Sequence, residues 1–367
     1  MITAGTHHRP SSHPAAAAYD FEDRPFLVFW EITRACALAC SHCRATAQPR
    51  RHPEELDAAA SRKLIDQLAG WKPPMLILTG GDPLMRVDAL DLVRHASGAG
   101  LHVGLSPSAT ARLLNADFAQ IKAAGVRRMS LSLDGATGET HDAFRGVTGT
   151  FARTIEAVQR AHDVGLDLQI NTTLTRGNMH EFGAFRDLMF KLKPAMWSVF
   201  LLVPTGRAGL ADLPDAADIE RVFEELSDLV GKAPFAIKTT EGHHFRRVLI
   251  QRKGPSARSR PGMSSPLGIR DGKGVMFISH TGVVSPSGFL PMDCGNVKDR
   301  HPAEIYREHP LFVSLRDNDA LGGKCGICEF RSVCGGSRAR AFGVHGDPFA
   351  ADPACVYQPR NPTPPPA

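Results

Sequence analysis

Seven of the eight cysteines in the 367-residue sequence fall into two groups. The first group is the run Cys36-Ala-Leu-Ala-Cys40-Ser-His-Cys43, and the second consists of Cys325, Cys328, Cys334 and Cys355. Soft thiolate ligands suit iron–sulfur centres and zinc. Residues 1–25 lack the apolar stretch of a secretory signal, so we expect a cytoplasmic protein whose clustered thiols bind metal rather than form disulfides. The spacing therefore predicts two metal centres.

The first group can hold three corners of a cubane iron–sulfur cluster and leave the fourth iron without a protein ligand. A three-thiol zinc site, or cysteines that are merely buried, is the alternative. The loop resembles, residue for residue, the C-x3-C-x2-C loop of the radical S-adenosylmethionine (SAM) superfamily. The resemblance implies that SAM chelates the open iron of a 4Fe–4S cluster held by Cys36, Cys40 and Cys43. It also implies reductive cleavage of SAM to methionine and a 5′-deoxyadenosyl radical, which abstracts hydrogen from a substrate.

A glycine pair follows the second predicted strand, in the segment Gly80-Gly81-Asp82-Pro83. This segment is similar to the GGEP motif of the superfamily, with Asp in place of Glu. The resemblance implies that the backbone of Gly80 and Gly81 and the carboxylate of Asp82 accept hydrogen bonds from the ammonium group of SAM. The alternative is an ordinary turn.

Ser132-Leu-Asp134-Gly135, followed by Arg145, resembles the fourth-strand segment of the peptide- and haem-modifying branch of the superfamily. The resemblance implies that Ser132 donates a hydrogen bond to SAM and that Arg145 pairs with its methionyl carboxylate. Asn171, in the fifth predicted strand, is a candidate contact for ribose or adenine. A turn-stabilising Asp and a surface Arg are the alternative interpretation.

The second cysteine group has the spacing C-x2-C-x5-C followed by a distal cysteine. It resembles the SPASM or shorter twitch extension of radical SAM enzymes, which implies one auxiliary 4Fe–4S cluster held by Cys325, Cys328, Cys334 and Cys355. A tetrahedral zinc site is the alternative. The full SPASM pattern has a further cysteine at the position that Arg338 occupies here. Cys294 is interpreted as a spare thiol.

Short apolar runs alternate with amphipathic stretches between residues 26 and 204, and they must position the cysteine loop. Six strands are predicted, at Phe26–Thr33, Met75–Thr79, Leu101–Ser106, Arg128–Leu133, Leu166–Leu174 and Trp197–Val203. Helices between them imply parallel strands with right-handed crossovers. The first cysteine group and the glycine pair follow strands, as active-site residues of β/α barrels do. The predicted fold is therefore α/β, a partial (β/α)6 barrel of parallel strands with a loop-rich C-terminal cysteine-cluster extension.

We expect the chain to divide into five parts. These are a flexible tail (1–25), the radical SAM core (26–210), a helical and basic connecting segment (211–270), a SPASM- or twitch-like auxiliary cluster domain (271–358) and a disordered Pro-rich tail (359–367). No apolar run approaches the roughly 18 residues of a membrane span. The net charge is +5, and the basic residues are mostly scattered along the chain. Neither a membrane nor a nucleic acid is therefore an expected partner.

Two features resemble the haem synthase and haem d1 precursor-processing branch of the superfamily. They are the segment Trp30-Glu-Ile-Thr-Arg-Ala-Cys36 and the C-terminal extension with cysteines for one auxiliary cluster. The resemblance implies an enzyme that oxidatively processes porphyrin propionate side chains and takes electrons from a donor such as flavodoxin or ferredoxin. Candidate substrate contacts are Arg246 and Arg247, which could pair with propionates, and His243 or His244, which could bind porphyrin iron. A solvated basic helix is the alternative.

Two other functions fit the same residues. One is a SPASM-type maturase that modifies a ribosomally made peptide, so the substrate is a small molecule or a peptide. The other is a non-catalytic metal-binding scaffold, which would bind zinc or clusters without cleaving SAM.

Overall fold

Six parallel strands form the centre of the molecule, in the order in which they occur along the chain. The computed structural model describes residues 19–254 and 268–360, so parts of both predicted tails and residues 255–267 lie outside the described residues. The strands are β1 (Leu27–Thr33), β2 (Met75–Gly80), β3 (Val103–Leu105), β4 (Val126–Ser132), β5 (Leu168–Leu174) and β6 (Met196–Leu201). Each pairs in parallel with the next. The predicted α/β partial barrel is confirmed.

Strand β5 shows how the sheet separates two faces. Its residues Leu168, Ile170 and Leu174 are buried in the apolar core, whereas Asn171 and Thr173 line an internal cavity. Successive side chains of a strand point to opposite faces of a sheet. The apolar residues therefore pack against the helices, and the polar ones face the inside of the barrel.

Helices connect these strands. They are α1 (Ala58–Trp71), α2 (Ala89–Gly98), α3 (Ala111–Asn115), α4 (Phe118–Ala123), α5 (Gly138–Arg145), α6 (Thr150–Asp163) and α7 (Phe182–Leu192). Helix α1 begins after Asp57, whose side chain accepts a hydrogen bond from the backbone N–H of Ala60, and it buries Leu64, Ile65 and Leu68. Within the described ranges, no helix combines the length and apolar character needed to cross a membrane.

The sheet continues at both edges beyond the six predicted barrel strands. After α8 (Ala216–Leu229), strand β7 (Ala236–Thr240) pairs in parallel with β6 and is followed by α9 (Phe245–Lys253). At the other edge, the short β8 (Arg270–Asp271) precedes β9 (Gly274–Ile278), which pairs in parallel with β1 and antiparallel with β10 (Val284–Ser285). In the described part of the chain the ten strands form one sheet. The C-terminal extension is therefore built onto the first strand.

The rest of the extension consists of loops and short helices, namely α10 (Pro302–Glu308), α11 (Pro310–Arg316), α12 (Gly323–Gly326) and α13 (Arg338–His345). Residues 19–25, which precede β1, contact this extension. The Tyr306 hydroxyl donates a hydrogen bond to the carbonyl of Phe21 at 2.8 Å, and Arg316 pairs with Glu22 at 2.6 Å. These contacts join the beginning and the end of the described chain.

Candidate active site

A cavity of about 310 Å³ lies inside the partial barrel and reaches the loops that follow its strands. All three cysteines of the first group line it, together with Gly80, Gly81 and the predicted contacts Ser132, Arg145 and Asn171. Residues of the C-terminal extension, among them Arg270 and Phe277, complete the wall. The fold therefore gathers residues from distant parts of the sequence at the end of a β/α barrel where chemistry takes place.

The sulfurs of the cysteine loop accept hydrogen bonds from the protein. The backbone N–H of Leu38 donates to Cys36 Sγ and that of Ala47 to Cys43 Sγ, each at 3.4 Å. Arg145 Nη1 lies 3.5 Å from Cys40 Sγ. Such donors stabilise a negatively charged sulfur, and none of the three thiols forms a disulfide. The donor set therefore fits the three protein ligands of a 4Fe–4S cluster.

Burial raises the pKa of the Cys36 thiol. A cluster ligand must be a thiolate, so cluster binding has to displace this proton and becomes weaker as the pH falls. The thiol also lies 3.7 Å from the hydroxyl of Ser108, which donates a hydrogen bond to the carbonyl of Gly81 at 3.2 Å. Ser108 is a contact that the sequence analysis missed, because no local motif marks it.

The glycine pair allows the second strand to approach the cysteine loop closely. A Cβ at Gly80 would lie 2.5 Å from the carbonyl oxygen of Thr33, and one at Gly81 would lie 2.5 Å from that of Ala35. The Gly81 N–H donates to the Thr33 carbonyl at 2.9 Å, and the Asp82 N–H donates to the Ala35 carbonyl at 2.7 Å. The close approach that requires glycine is therefore to the base of the cysteine loop, while both glycines also line the cavity.

Asp82 lies behind this loop, and its side chain is fully buried. Its carboxylate accepts hydrogen bonds from the N–H groups of Leu84 and Ser108, at 3.1 and 3.3 Å, and from the hydroxyl of Thr110 at 3.2 Å. The carboxylate thus joins the loop after β2 to the loop after β3. It does not belong to the described lining of the cavity, in contrast to Gly80 and Gly81.

Arg145 is held between the cysteine loop and a buried carboxylate. Its Nη2 contacts Asp134, which also accepts a hydrogen bond from the backbone N–H of Thr173 at 2.6 Å. Burial acts to lower the pKa of Arg145, but the charges and hydrogen bonds of Asp134 and Cys40 together outweigh it, so this pKa lies above its usual value. The guanidinium is therefore a permanent cation at the cavity wall, beside Cys40.

The four thiols of the second group lie close together in the C-terminal extension. Burial and the neighbouring thiols of Cys355 and Cys325 raise the pKa of Cys334 to about 12. Burial also raises the pKa of Cys328, with smaller contributions from Glu329 and the neighbouring thiols. The fold therefore places these four thiols near one another in one loop-rich segment.

Four thiolates are a complete ligand set for a 4Fe–4S cluster. Elsewhere among the described residues, three metal-binding side-chain atoms lie within 4.8 Å of one another at Glu241, His243 and Asp271, which are all buried.

Arg338 stands where the full SPASM pattern has another cysteine, and it is fully buried. Its Nη1 donates to the carbonyls of Pro348 and Ala350 at 2.9 and 2.8 Å, while its Nη2 lies 3.8 Å from Cys325 Sγ. A cation that supports the remaining ligands thus replaces the missing thiol. Cys294 is buried and lies 3.5 Å from the carbonyl of Met292.

The four candidate substrate residues separate into two pairs. His243 and Arg246 line the cavity, whereas His244 and Arg247 are not in its described lining. Arg246 Nη1 donates to the carbonyls of Ile269 and Val333, at 2.9 and 3.2 Å. All four side chains are buried, so the alternative of a solvated basic helix is wrong.

Arg247 is occupied with contacts inside the protein, whereas the two histidine rings are buried and uncharged. Arg247 Nη2 forms an ion pair with Glu220 at 2.5 Å, and its guanidinium lies 5.0 Å from the ring centre of Tyr357. Burial lowers the pKa of His244 to about 4, and that of His243 falls well below its usual value, so both imidazoles are neutral. Neither ring has a hydrogen-bond partner among the described residues.

A partial β/α barrel, with a three-thiol loop after its first strand and a second cysteine set beyond its mouth, defines a radical SAM enzyme. The chain belongs to this superfamily: the sequence model of the Radical SAM superfamily matches residues 30–189. Enzymes of this superfamily use a 4Fe–4S cluster and SAM, and the cysteine-rich C-terminal extension fits an auxiliary cluster. The non-catalytic scaffold is thereby excluded.

Similar proteins extend over almost the whole chain. The AdoMet-dependent heme synthase of Nitratidesulfovibrio vulgaris is 41% identical over 97% of this chain and 98% of the relative. The AdoMet-dependent heme synthase of Methanosarcina barkeri is 36% identical over 91% of this chain and 97% of the relative. Among solved structures, Streptococcus suis SuiB bound to S-adenosylmethionine has a TM-score of 0.68 at 17% identity, covering 91% of this chain and 78% of SuiB. This last likeness concerns the fold.

Proposed function

We propose that this protein is a haem synthase, which converts propionate side chains of an iron-coproporphyrin into vinyl groups. The observation that carries the proposal is the 41% identity, along nearly the full length of both chains, to a protein named AdoMet-dependent heme synthase. The arrangement of the cavity supports it, because cationic side chains suited to carboxylates line the same space as the first cysteine group.

Cys36, Cys40 and Cys43 are the proposed ligands of the catalytic cluster, and Cys325, Cys328, Cys334 and Cys355 those of the auxiliary cluster. When bound, the first cluster supplies the electron that cleaves SAM to methionine and a 5′-deoxyadenosyl radical, and the second is an electron acceptor for the oxidation of the substrate. A flavodoxin or ferredoxin is the proposed external electron donor.

The protein's own part is to hold SAM beside the cysteine loop. Arg145, a permanent cation 3.5 Å from Cys40 Sγ, is the proposed partner of the methionyl carboxylate. The carbonyls of Gly80 and Gly81, the second of which also accepts a hydrogen bond from Ser108, are the proposed acceptors for the ammonium group. Ser132 and Asn171 are the proposed contacts of the rest of SAM. Asp82 is assigned a positioning role, because its oxygens are already occupied by Leu84, Ser108 and Thr110.

The substrate is proposed to enter the cavity between the cysteine loop and the C-terminal extension. Loss of one hydrogen atom to the adenosyl radical, followed by loss of carbon dioxide and one electron, turns a propionate into a vinyl group. His243 and Arg246 are the proposed substrate-side residues, since they line the cavity. Arg246 also reaches the carbonyl of Val333, the residue before Cys334, and thus lies between the cavity and the auxiliary thiols.

The test is an anaerobic reaction of the reconstituted protein with SAM, a chemical reductant and iron-coproporphyrin III. The expected result is formation of 5′-deoxyadenosine together with porphyrin products whose mass shows the loss of carbon dioxide and two hydrogens per side chain. The matched control carries Cys36→Ala, Cys40→Ala and Cys43→Ala and should form neither product. An unchanged porphyrin, combined with 5′-deoxyadenosine that appears only when a ribosomal precursor peptide is added, would instead support a peptide maturase.

A further inference from the structure

Most charged groups that line the cavity already have partners within the protein. Arg44 pairs with Glu31 at 2.9 Å, and Arg145 pairs with Asp134. Arg246 and Arg270 donate to backbone carbonyls. Each of these cations is therefore held in place by at least one contact with the described residues, although Nε and Nη1 of Arg270 have no such partner.

Lys238 differs from these cations. It lines the cavity from β7, it is half-buried, and it has neither a hydrogen bond nor an ion pair with any of the described residues. Its neighbour in the chain, Ile237, is buried in the apolar core on the opposite face of the strand. Lys238 therefore points into the barrel, opposite Ser198 of β6 in the strand register.

The charged groups that act on Lys238 are cationic. Burial, followed by the positive charges of Arg128 on β4 and Arg246 on α9, lowers the pKa of Lys238 to about 8. Arg128 lies at the start of its strand, with Nη1 3.8 Å from Met196 Sδ and Nε buried without a partner among the described residues. Two cations thus approach Lys238 from two other elements, and no carboxylate is among the groups that shift its pKa. An anion in this place would be stabilised by all three.

We propose that Lys238 binds a carboxylate of the substrate inside the barrel, and that this is a carboxylate which the reaction leaves intact. The inference rests on the proposed function, in which the substrate carries several propionates and loses only some of them. A cation paired with a carboxylate stabilises the charged ground state relative to neutral carbon dioxide, and so opposes decarboxylation of that group. Lys238 therefore fits the recognition of a retained propionate.

The methionyl group of SAM is the other possible source of a carboxylate. Arg145, on helix α5 after β4, lies beside Cys40 and is already assigned to that group. Lys238 lies on β7, which is three strands away from β4 in the sheet. We assign the Lys238 subsite to the substrate. If Lys238 binds the substrate carboxylate, replacing it weakens porphyrin binding. If it binds the carboxylate of SAM, replacing it weakens SAM binding instead.

The experiment compares the reconstituted wild-type enzyme with Lys238→Met and Lys238→Arg. Dissociation constants of iron-coproporphyrin III and of SAM are measured separately by absorbance titration under anaerobic conditions. We expect Lys238→Met to weaken porphyrin binding about 10- to 100-fold, as loss of a charge-assisted contact does, and to change SAM binding less than about twofold. Lys238→Arg should restore most of the porphyrin affinity. Lys63→Met, an exposed lysine of α1, is the control.

A second arm uses the methyl ester of the same iron porphyrin, which has no carboxylate. The wild-type enzyme should bind the acid more tightly than the ester. The ratio of the two dissociation constants should be smaller in Lys238→Met, a change that a general loss of structure would not produce. Equal porphyrin binding by wild type and Lys238→Met, or a loss confined to SAM, overturns the inference while leaving the proposed function in place. A wild-type enzyme that neither binds nor converts the porphyrin overturns both.

Discussion

The carboxylate of Glu31, in the first strand, lies 2.7 Å from the imidazole Nδ1 of His280, which is 249 residues away in the C-terminal extension. The same carboxylate pairs with Arg44 of the cysteine loop at 2.9 Å, and the guanidinium of Arg44 lies 4.6 Å from the ring centre of Phe277. Glu31 is 1% exposed. One buried anion thus joins the barrel, the loop of the first cysteine group and the extension.

Replacing this anion should destabilise the protein. Glu31→Gln keeps the shape of the side chain but leaves the partly buried Arg44 without its counter-ion and alters the contact with the buried His280, so we expect the free energy of unfolding to fall by about 3 kcal/mol. Urea denaturation of the reconstituted protein measures the change. Glu304→Gln, which removes an exposed carboxylate of helix α10, should change stability by less than about 0.5 kcal/mol. Equal stability of the two variants would contradict the role assigned to Glu31.

The same contact predicts a pH dependence. Burial alone would raise the pKa of Glu31, but the hydrogen bond with His280 and the charge of Arg44 outweigh it, so this pKa lies below its usual value. A carboxyl with a lowered pKa in the folded state contributes stability above its unfolded pKa of about 4.3, and loses that contribution as the pH falls through the folded value. Between about pH 5 and 3, wild-type stability should therefore decline more steeply than that of Glu31→Gln. If the stability of wild type and that of Glu31→Gln fell in parallel over this pH range, Glu31 would make no such contribution.

Gly81→Ala should disrupt the cysteine loop. The added Cβ would lie 2.5 Å from the carbonyl oxygen of Ala35 and 2.7 Å from that of Arg34, so the base of the loop must move. We expect the first cluster to be largely lost and 5′-deoxyadenosine formation to fall at least about tenfold, as misplacement of reacting groups does. Iron content and product formation are the measurements. Gly70→Ala is the matched control, because its Cβ would have no neighbour within 4 Å and a helical alanine is preferred by about 0.5–1 kcal/mol.

Arg145→Met should weaken SAM binding without removing the cluster. The substitution keeps an apolar stem but deletes the cation that lies 3.5 Å from Cys40 Sγ, so we expect the dissociation constant of SAM to rise about 10- to 100-fold. Anaerobic titration measures it, and iron content reports on the cluster. Arg186→Met removes a partly exposed arginine of helix α7 and should leave SAM affinity unchanged. SAM binding of wild-type strength in Arg145→Met would exclude the assigned carboxylate contact.

Cys334→Ala should impair the second cysteine group and leave the function of the first intact. It deletes one of four thiols in the second group, so we expect loss of the auxiliary cluster, retention of the first cluster and continued SAM cleavage, with little conversion of the porphyrin. Iron content, electron paramagnetic resonance and product analysis distinguish these outcomes. Cys294→Ala, at a buried thiol outside both groups, should keep the iron content of the wild type. Loss of 5′-deoxyadenosine formation in Cys334→Ala would show that the two sites are not separable in this way.

Local patterns were sufficient to predict much of the protein. The spacing of Cys36, Cys40 and Cys43 marks a cluster loop because three thiols on one short loop reach one cluster without help from the rest of the chain. The alternation of apolar runs with amphipathic helices predicts the parallel strands from β1 to β6, since strand and helix periodicities are local properties. Lys238 lies in the part of the chain predicted as a helical and basic connecting segment, and nothing in the local sequence indicated that it would face the cavity.

Other features depend on residues that only folding brings together. The pairing of β9 with β1, the contact of Glu31 with His280, and the approach of Gly81 to Ala35 each join segments that no local spacing relates. The orientation of the Asp82 carboxylate toward Ser108 and Thr110 is of the same kind. The amino-acid sequence by itself thus determined the strand order, the class of chemistry and the division of seven cysteines into two groups. Tertiary structure decided which of the charges that line the cavity are paired, because burial and counter-ions are set by packing across the whole chain.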